Sequence, residues 1–188
     1  SSTNAKLDYV TIRNCLNSRG SYSSDQESSI ISKYGTEEVL NDGGAISVTS
    51  HSRNNKIPLT KLEMSHCTIK HCYSRYLGSA MFISTQKVSS ETNFSSITMT
   101  DCTINDCFCY GGVINAGSTG GGTFRTYGTS YCTLSMSGCT FDSNKNNNSA
   151  SLVWNAGLVD PLKLSDCTFS NNWSATGSAG LSLQTAGK

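Results

Sequence analysis

Four segments of the chain nearly superimpose: Leu62-Glu-Met-Ser-His-Cys67-Thr-Ile-Lys-His-Cys72, Ile97-Thr-Met-Thr-Asp-Cys102-Thr-Ile-Asn-Asp-Cys107, Leu134-Ser-Met-Ser-Gly-Cys139-Thr-Phe-Asp-Ser-Asn144 and Leu162-Lys-Leu-Ser-Asp-Cys167-Thr-Phe-Ser-Asn-Asn172. A fifth, degenerate copy runs Ala5-Lys-Leu-Asp-Tyr-Val10-Thr-Ile-Arg-Asn-Cys15. The aligned cysteines lie 35, 37 and 28 residues apart. Each copy is followed by a second unit, a small pair and then two apolar residues one position apart. These units are Gly43-Gly44 with Ile46 and Val48, Ser79-Ala80 with Met81 and Ile83, Gly111-Gly112 with Ile114 and Ala116, Ser149-Ala150 with Leu152 and Trp154, and Ser178-Ala179 with Leu181 and Leu183. The register of the middle copy slips slightly. A repeat of this period excludes most folds and points to a stacked architecture.

Within both units apolar positions alternate with Ser, Thr, Lys or Asp, the period of a strand with one buried face. Helical spacing is absent. Short strands turned by small residues at this period predict an all-β, right-handed parallel β-helix of about five coils, a single domain over 1–188 with long loops at 16–42 and 117–131. Stacked coils place equivalent residues about 4.8 Å apart, so identical residues form columns. The predicted inward column is Val10, Cys67, Cys102, Cys139, Cys167, with Ile12, Ile69, Ile104, Phe141 and Phe169 beside it. Between them Thr11, Thr68, Thr103, Thr140 and Thr168 face outward, where a β-branched hydroxyl suits an exposed strand.

The composition fits this reading. Charged residues are 14%, against about 25% in an ordinary globular chain. Ser, Thr and Asn number 32, 20 and 16 and become the solvent face and turns of the coils. With 16 aromatics and a net charge of +1, disorder is not indicated. The near-neutral balance argues against nucleic acid as a partner, and no 18-residue apolar run or basic amphipathic helix argues for a membrane. The chain opens Ser1-Ser2-Thr3 without an initiator Met or signal-like segment, as expected of a processed product or a piece of something longer.

At Phe141-Asp-Ser-Asn144 and Phe169-Ser-Asn-Asn172, together with Gly43-Gly44-Ala45-Ile46, the sequence resembles the repeats of the polymorphic outer-membrane proteins of chlamydiae. Those repeats alternate Phe-x-x-Asn with Gly-Gly-Ala-Ile along a right-handed β-helix, and similar repeats occur in large surface proteins of protists. The resemblance covers residues 5 to 185 and implies a surface-exposed adhesin. Three coils carry Ile-x-x-Cys in place of Phe-x-x-Asn.

The nine cysteines invite a chemical reading. The run His66-Cys67-Thr-Ile-Lys-His71-Cys72 resembles a metal cluster, yet adjacent strand residues face opposite sides, so Cys67 and His66 need not converge and no metal is expected. Stacked cysteines have parallel Cβ vectors, a strained arrangement for a bridge, so the inward column is expected to stay mostly reduced. A bridge is easier at the turn position shared by Cys15, Cys72 and Cys107, as between Cys72 and Cys107. Cys109 and Cys132 flank the Gly-rich loop as a second candidate pair. Asn93, Asn147 and Asn172 head Asn-x-Ser sequons, and Asn172 is the poorest glycosylation candidate because its turn side chain is wanted by the backbone.

No catalytic residue or cofactor site is predicted. A polysaccharide hydrolase needs paired carboxylates in a groove and a lyase needs a basic residue beside acidic calcium ligands, whereas the acidic residues here are scattered. His66 beside Asp101 and His71 beside Asp106 read as surface pairs on adjacent coils. The expected function is a non-enzymatic extracellular or cell-surface structural or adhesive module, a segment or subunit of an adhesin or head-to-tail filament. Its expected partners are its own ends or further coils, and glycans or a host surface. The chain ends directly after an inward-facing strand with no covering helix, which is expected to invite end-to-end stacking. The alternative is a polysaccharide-binding or polysaccharide-degrading β-helix with Tyr73, Tyr76, Tyr110, Tyr127 and Trp173 as its platform.

Overall fold

The computed structural model describes residues 3–17, 44–50, 59–74, 78–85, 95–109, 114–116, 132–146, 151–156, 162–175 and 177–185. Every regular element among them is a β-strand, and the strands form four five-stranded parallel sheets. The first sheet holds β1 (Thr3–Asp8), β5 (Thr60–Ser65), β9 (Ser95–Thr100), β13 (Cys132–Ser137) and β17 (Lys163–Ser165). The second holds β2 (Thr11–Arg13), β6 (Thr68–Lys70), β10 (Thr103–Asn105), β14 (Thr140–Asp142) and β18 (Thr168–Ser170). The third is built from two-residue strands: β3 (Leu16–Asn17), β7 (Tyr73–Ser74), β11 (Phe108–Cys109), β15 (Lys145–Asn146) and β19 (Trp173–Ser174). The fourth holds β4 (Ile46–Ser50), β8 (Met81–Thr85), β12 (Ile114–Ala116), β16 (Leu152–Ala156) and β20 (Leu181–Thr185). Each strand pairs with the one four places away in the chain, so the chain visits the four sheets in the same order five times.

Register follows the sequence repeat residue for residue. Thr11, Thr68, Thr103, Thr140 and Thr168 lie opposite one another, and Ile12, Ile69, Ile104, Phe141 and Phe169 do the same one position on. In the fourth sheet Ile46, Met81, Ile114, Leu152 and Leu181 are aligned, so the third copy does not slip. Register is held because a one-residue shift would turn every apolar side chain outward. The inward residues of β5, β9 and β13 (Leu62 and Met64, Ile97 and Met99, Leu134 and Met136) join Ile69, Ile104, Phe141, Met81, Ile83 and the corner cysteines in one buried cluster. A side chain of this size contributes about 1.5–3 kcal/mol when fully buried.

The corners between sheets are made by single residues in the left-handed backbone region. Between the first and second sheets these are Tyr9, His66, Asp101, Gly138 and Asp166, with φ of 50–63°. Between the second and third they are Asn14, His71, Asp106, Ser143 and Asn171, with φ of 51–58°. One such residue redirects the chain without interrupting the backbone ladder: His66 N–H donates to Thr100 O at 3.0 Å and Asp101 N–H to Ser137 O at 2.8 Å. Gly adopts this conformation at least cost and Asn, Asp and His are enriched in it, whereas Tyr9 and Ser143 are less usual there. Gly44 serves a different need, because a Cβ there would collide with the carbonyl oxygen of Ser79.

Candidate functional site

The residue after each corner of the second kind points inward and forms a column of Cys15, Cys72, Cys107, Asn144 and Asn172. The two asparagines show what the position does. Asn144 Oδ1 accepts from Cys107 N–H at 3.0 Å and its Nδ2 donates to Ile104 O at 2.9 Å. Asn172 repeats this one strand on, with Oδ1 accepting from Asn144 N–H at 3.0 Å and Nδ2 donating to Phe141 O at 2.9 Å. Cys107 makes the weaker version, its thiol 4.0 Å from Ile69 O. Cysteine and asparagine are therefore the same structural device here, an inward group that satisfies backbone left unpaired at the turn. Cys139 and Cys167, on the other corner, likewise approach Met99 O at 3.6 Å and Met136 O at 3.7 Å.

Asn172 thus has both ends of its amide engaged, which leaves little for a glycosylation reaction. Asn93 and Asn147 lie outside the described residues. All nine cysteines are thiols. Cys67, Cys102 and Cys139 are buried, with Cys167 half-buried at the last strand and Val10 at the first. Cys72 and Cys107 are column neighbours. Cys109 is buried in the third sheet and Cys132 in the first, where burial pushes the Cys132 thiol up to about 12. His66 and His71 stand on the outside while Cys67 and Cys72 are in the core, so the run 66–72 does not converge on one point. Among the described residues no group of three or more His, Cys, Asp or Glu is placed to hold a metal ion.

His66 contacts three side chains on neighbouring strands and turns. Its Nδ1 lies 3.2 Å from Asp8 Oδ1, its Nε2 3.8 Å from Asp101 Oδ2, and its ring stacks on Tyr9 at 4.4 Å and 6°. The Asp8 carboxyl is held below the ordinary carboxylate range, first by the Ser65 hydroxyl at 2.7 Å and then by His66. His71 Nε2 faces Asp106 Oδ2 at 3.6 Å. Exposed pairs of this kind align neighbouring strands and contribute little to stability, because solvent screens them. Asp142 accepts from Ser170 Oγ at 2.7 Å, Asn171 Nδ2 at 2.8 Å and Ser143 Oγ at 3.0 Å, which lowers its pKa. These carboxylates are occupied by structural donors rather than presented in a pair.

Of the predicted aromatic platform, Tyr76, Tyr110 and Tyr127 lie outside the described residues, as do the loops apart from residues 16–17. Tyr73 and Trp173 fall on one outward row of the third sheet, with Phe108 and Lys145 between them in register. Phe108 was not in the predicted set, because a two-residue strand offers no alternation to read. Tyr73 and Phe108 stack at 5.5 Å and 12°, so each ring has one face against the other. Trp173 is half exposed. The inward side of the same strands carries polar groups that were equally unforeseen: Ser74 and Asn146 are buried on either side of Cys109, and the Asn146 amide has no hydrogen-bond partner among the described residues.

At one end β1 to β4, and at the other β17 to β20, each have one edge with no strand partner among the described residues. At the β20 edge Leu183 is 66% exposed, whereas Ile83, further in on the same column, is 0%; at the opposite edge Val48 of β4 is 4% exposed, so its side chain is covered. No helix among the described residues is long and apolar enough to cross a membrane. Compared with family models, curated proteins and solved structures, the chain has no match.

Proposed function

We propose that the four sheets are the faces of a right-handed parallel β-helix of about five coils, and that this solenoid is a non-enzymatic extracellular structural or adhesive module, a segment or subunit of a surface adhesin or head-to-tail filament. The reading rests on one observation above others: every column keeps its register out to the edge strand, so each end carries the surface that interior strands present to one another. A second copy or further coils would find hydrogen-bonding edges and apolar sites such as Leu183 already in register. Right-handedness is the hand of about 98% of parallel crossover connections. The extracellular placement rests on the Phe-x-x-Asn and Gly-Gly-Ala-Ile resemblance.

Electron microscopy of the purified chain across concentrations tests the filament form. Columns that lengthen with concentration are expected, and Leu183→Lys is expected to hold particles at single-chain length. Discrete single-chain particles at every concentration would contradict it. The half-exposed Trp173 favours glycan binding as a second reading, although Tyr73 and Phe108 each have one ring face taken up by the other. A polysaccharide screen separates the two, and turnover of any polymer overturns the non-enzymatic reading.

A further inference from the structure

We propose that Cys15, Cys72 and Cys107 form a disulfide relay, in which a small-molecule disulfide is taken up at the half-buried Cys15 and the oxidising equivalent is stored as a buried Cys72–Cys107 bridge. The three thiols make the same local hydrogen bond, each to the carbonyl two residues back: Cys15 to Arg13 O at 3.7 Å, Cys72 to Lys70 O at 3.3 Å and Cys107 to Asn105 O at 3.5 Å. The shared bond turns the three side chains the same way, and the Cys72 thiol is in hydrogen-bond contact with those of both Cys15 and Cys107. Successive sulfurs are thus spaced by roughly the strand-to-strand step of about 4.8 Å, with Cys72 between the other two. That step is inside the roughly 4.4–6.8 Å Cα range of disulfides, and a line of three sulfurs is the geometry of exchange, with the attacking thiolate opposite the leaving sulfur.

The chemistry balances as follows. Cys15 thiolate attacks one sulfur of the small disulfide, forms a mixed disulfide and releases one small thiolate, which takes the proton Cys15 gave up. Cys72 thiolate then attacks the Cys15 sulfur, expels the second small thiolate and forms a Cys15–Cys72 bridge. Cys107 then loses its proton, attacks Cys72 and returns Cys15 as a thiol with that proton; this is the slowest step, because the hydrogen bond to Cys72 and burial hold the Cys107 thiol well above its ordinary range. Two protein thiols become one bridge and one small disulfide becomes two thiols. The column stops there because Asn144 follows, with no sulfur. The inner pair holds the bridge because both its sulfurs are buried, while the thiol given back at Cys15 reaches water. Hydrogen bonds from the Cys107 thiol and the Cys15 N–H bring Cys72 down to about 6, which suits it to resolve the mixed disulfide. Burial raises Cys15, so uptake speeds up with pH. Parallel Cβ vectors strain the bridge and keep it reducible.

The test is incubation of the chain with oxidised glutathione, alkylation of remaining thiols and tandem mass spectrometry. Wild type is expected to carry a Cys72–Cys107 bridge with Cys15 alkylated. In Cys72→Ser glutathione stays on Cys15 and Cys107 remains a thiol. In Cys107→Ser the bridge stops at Cys15–Cys72. Cys15→Ser is expected to form the inner bridge about tenfold more slowly, since attack then has to reach a buried sulfur. An equal rate in Cys15→Ser, glutathione held on Cys15 of wild type with both inner thiols reduced, or oxidation of Cys107 in Cys72→Ser would each overturn the relay. Circular dichroism unchanged from wild type shows that each serine variant is folded.

Discussion

Replacing Asn144 with Ala is expected to lower the free energy of unfolding by about 4 kcal/mol, a large share of the roughly 5–15 kcal/mol that holds a domain together. Asn144 is fully buried, and its amide serves the backbone of the preceding turn through Cys107 N–H and Ile104 O. It also donates to Asn172 Oδ1 at 3.1 Å. Truncation leaves one buried donor and one buried acceptor without partners, each costing about 1–3 kcal/mol, more than the net value of the bonds when made. Asn144→Cys is the informative contrast. Cysteine already fills this column at positions 72 and 107, so that variant is expected to lose only about half as much. Urea denaturation with an unchanged slope separates this from a change in the unfolded state.

Phe141→Ala has an expected cost of similar size, about 4 kcal/mol, for a different reason. Phe141 is among the largest fully buried side chains, and its ring stacks on Phe169 at 4.8 Å and 9°. Removing it forfeits transfer free energy and leaves a cavity that neighbouring strands, pinned by their ladders, cannot close. Phe141→Ile should cost about 1–2 kcal/mol, because Ile occupies the aligned positions 12, 69 and 104 and the sheet already accommodates that shape. Thermal and urea denaturation of the two variants side by side check the ratio.

The parts of this architecture that were legible in the sequence are those where the side-chain period repeats often enough to be seen. The Thr column at 11, 68, 103, 140 and 168 and the Cys column at 67, 102, 139 and 167 could be placed to the residue, because strands of three to six residues alternate and the copies align. A bend at the position of Cys15, Cys72, Cys107, Asn144 and Asn172 could be read, but not which residue makes it. Tyr9 does not announce a left-handed turn, and only the alignment of Tyr9 and His66 with Asp101, and of His71 with Asn14 and Asp106, shows that one backbone conformation recurs at each corner. The third sheet was hidden because its strands are two residues long, which is too short for alternation to show Ser74 and Asn146 inside and Phe108 outside. That Cys107 and Asn144 share one turn position could be read from the aligned copies; what was hidden is that the thiol and the amide both approach a backbone carbonyl of the preceding copy. What read as a departure from Phe-x-x-Asn is a substitution within one role.

The claim on which everything else depends is that successive copies of the repeat stack in register as the coils of a β-helix. Nuclear Overhauser contacts among labelled threonine methyl groups test it most directly. The account predicts contacts from Thr11 to Thr68, Thr68 to Thr103, Thr103 to Thr140 and Thr140 to Thr168, residues 28 to 57 apart in sequence. Second neighbours such as Thr68 and Thr140, about 9.6 Å apart by two strand spacings, should show none. Direct contact between Thr68 and Thr140, or no contact between Thr68 and Thr103, would contradict the stacked solenoid.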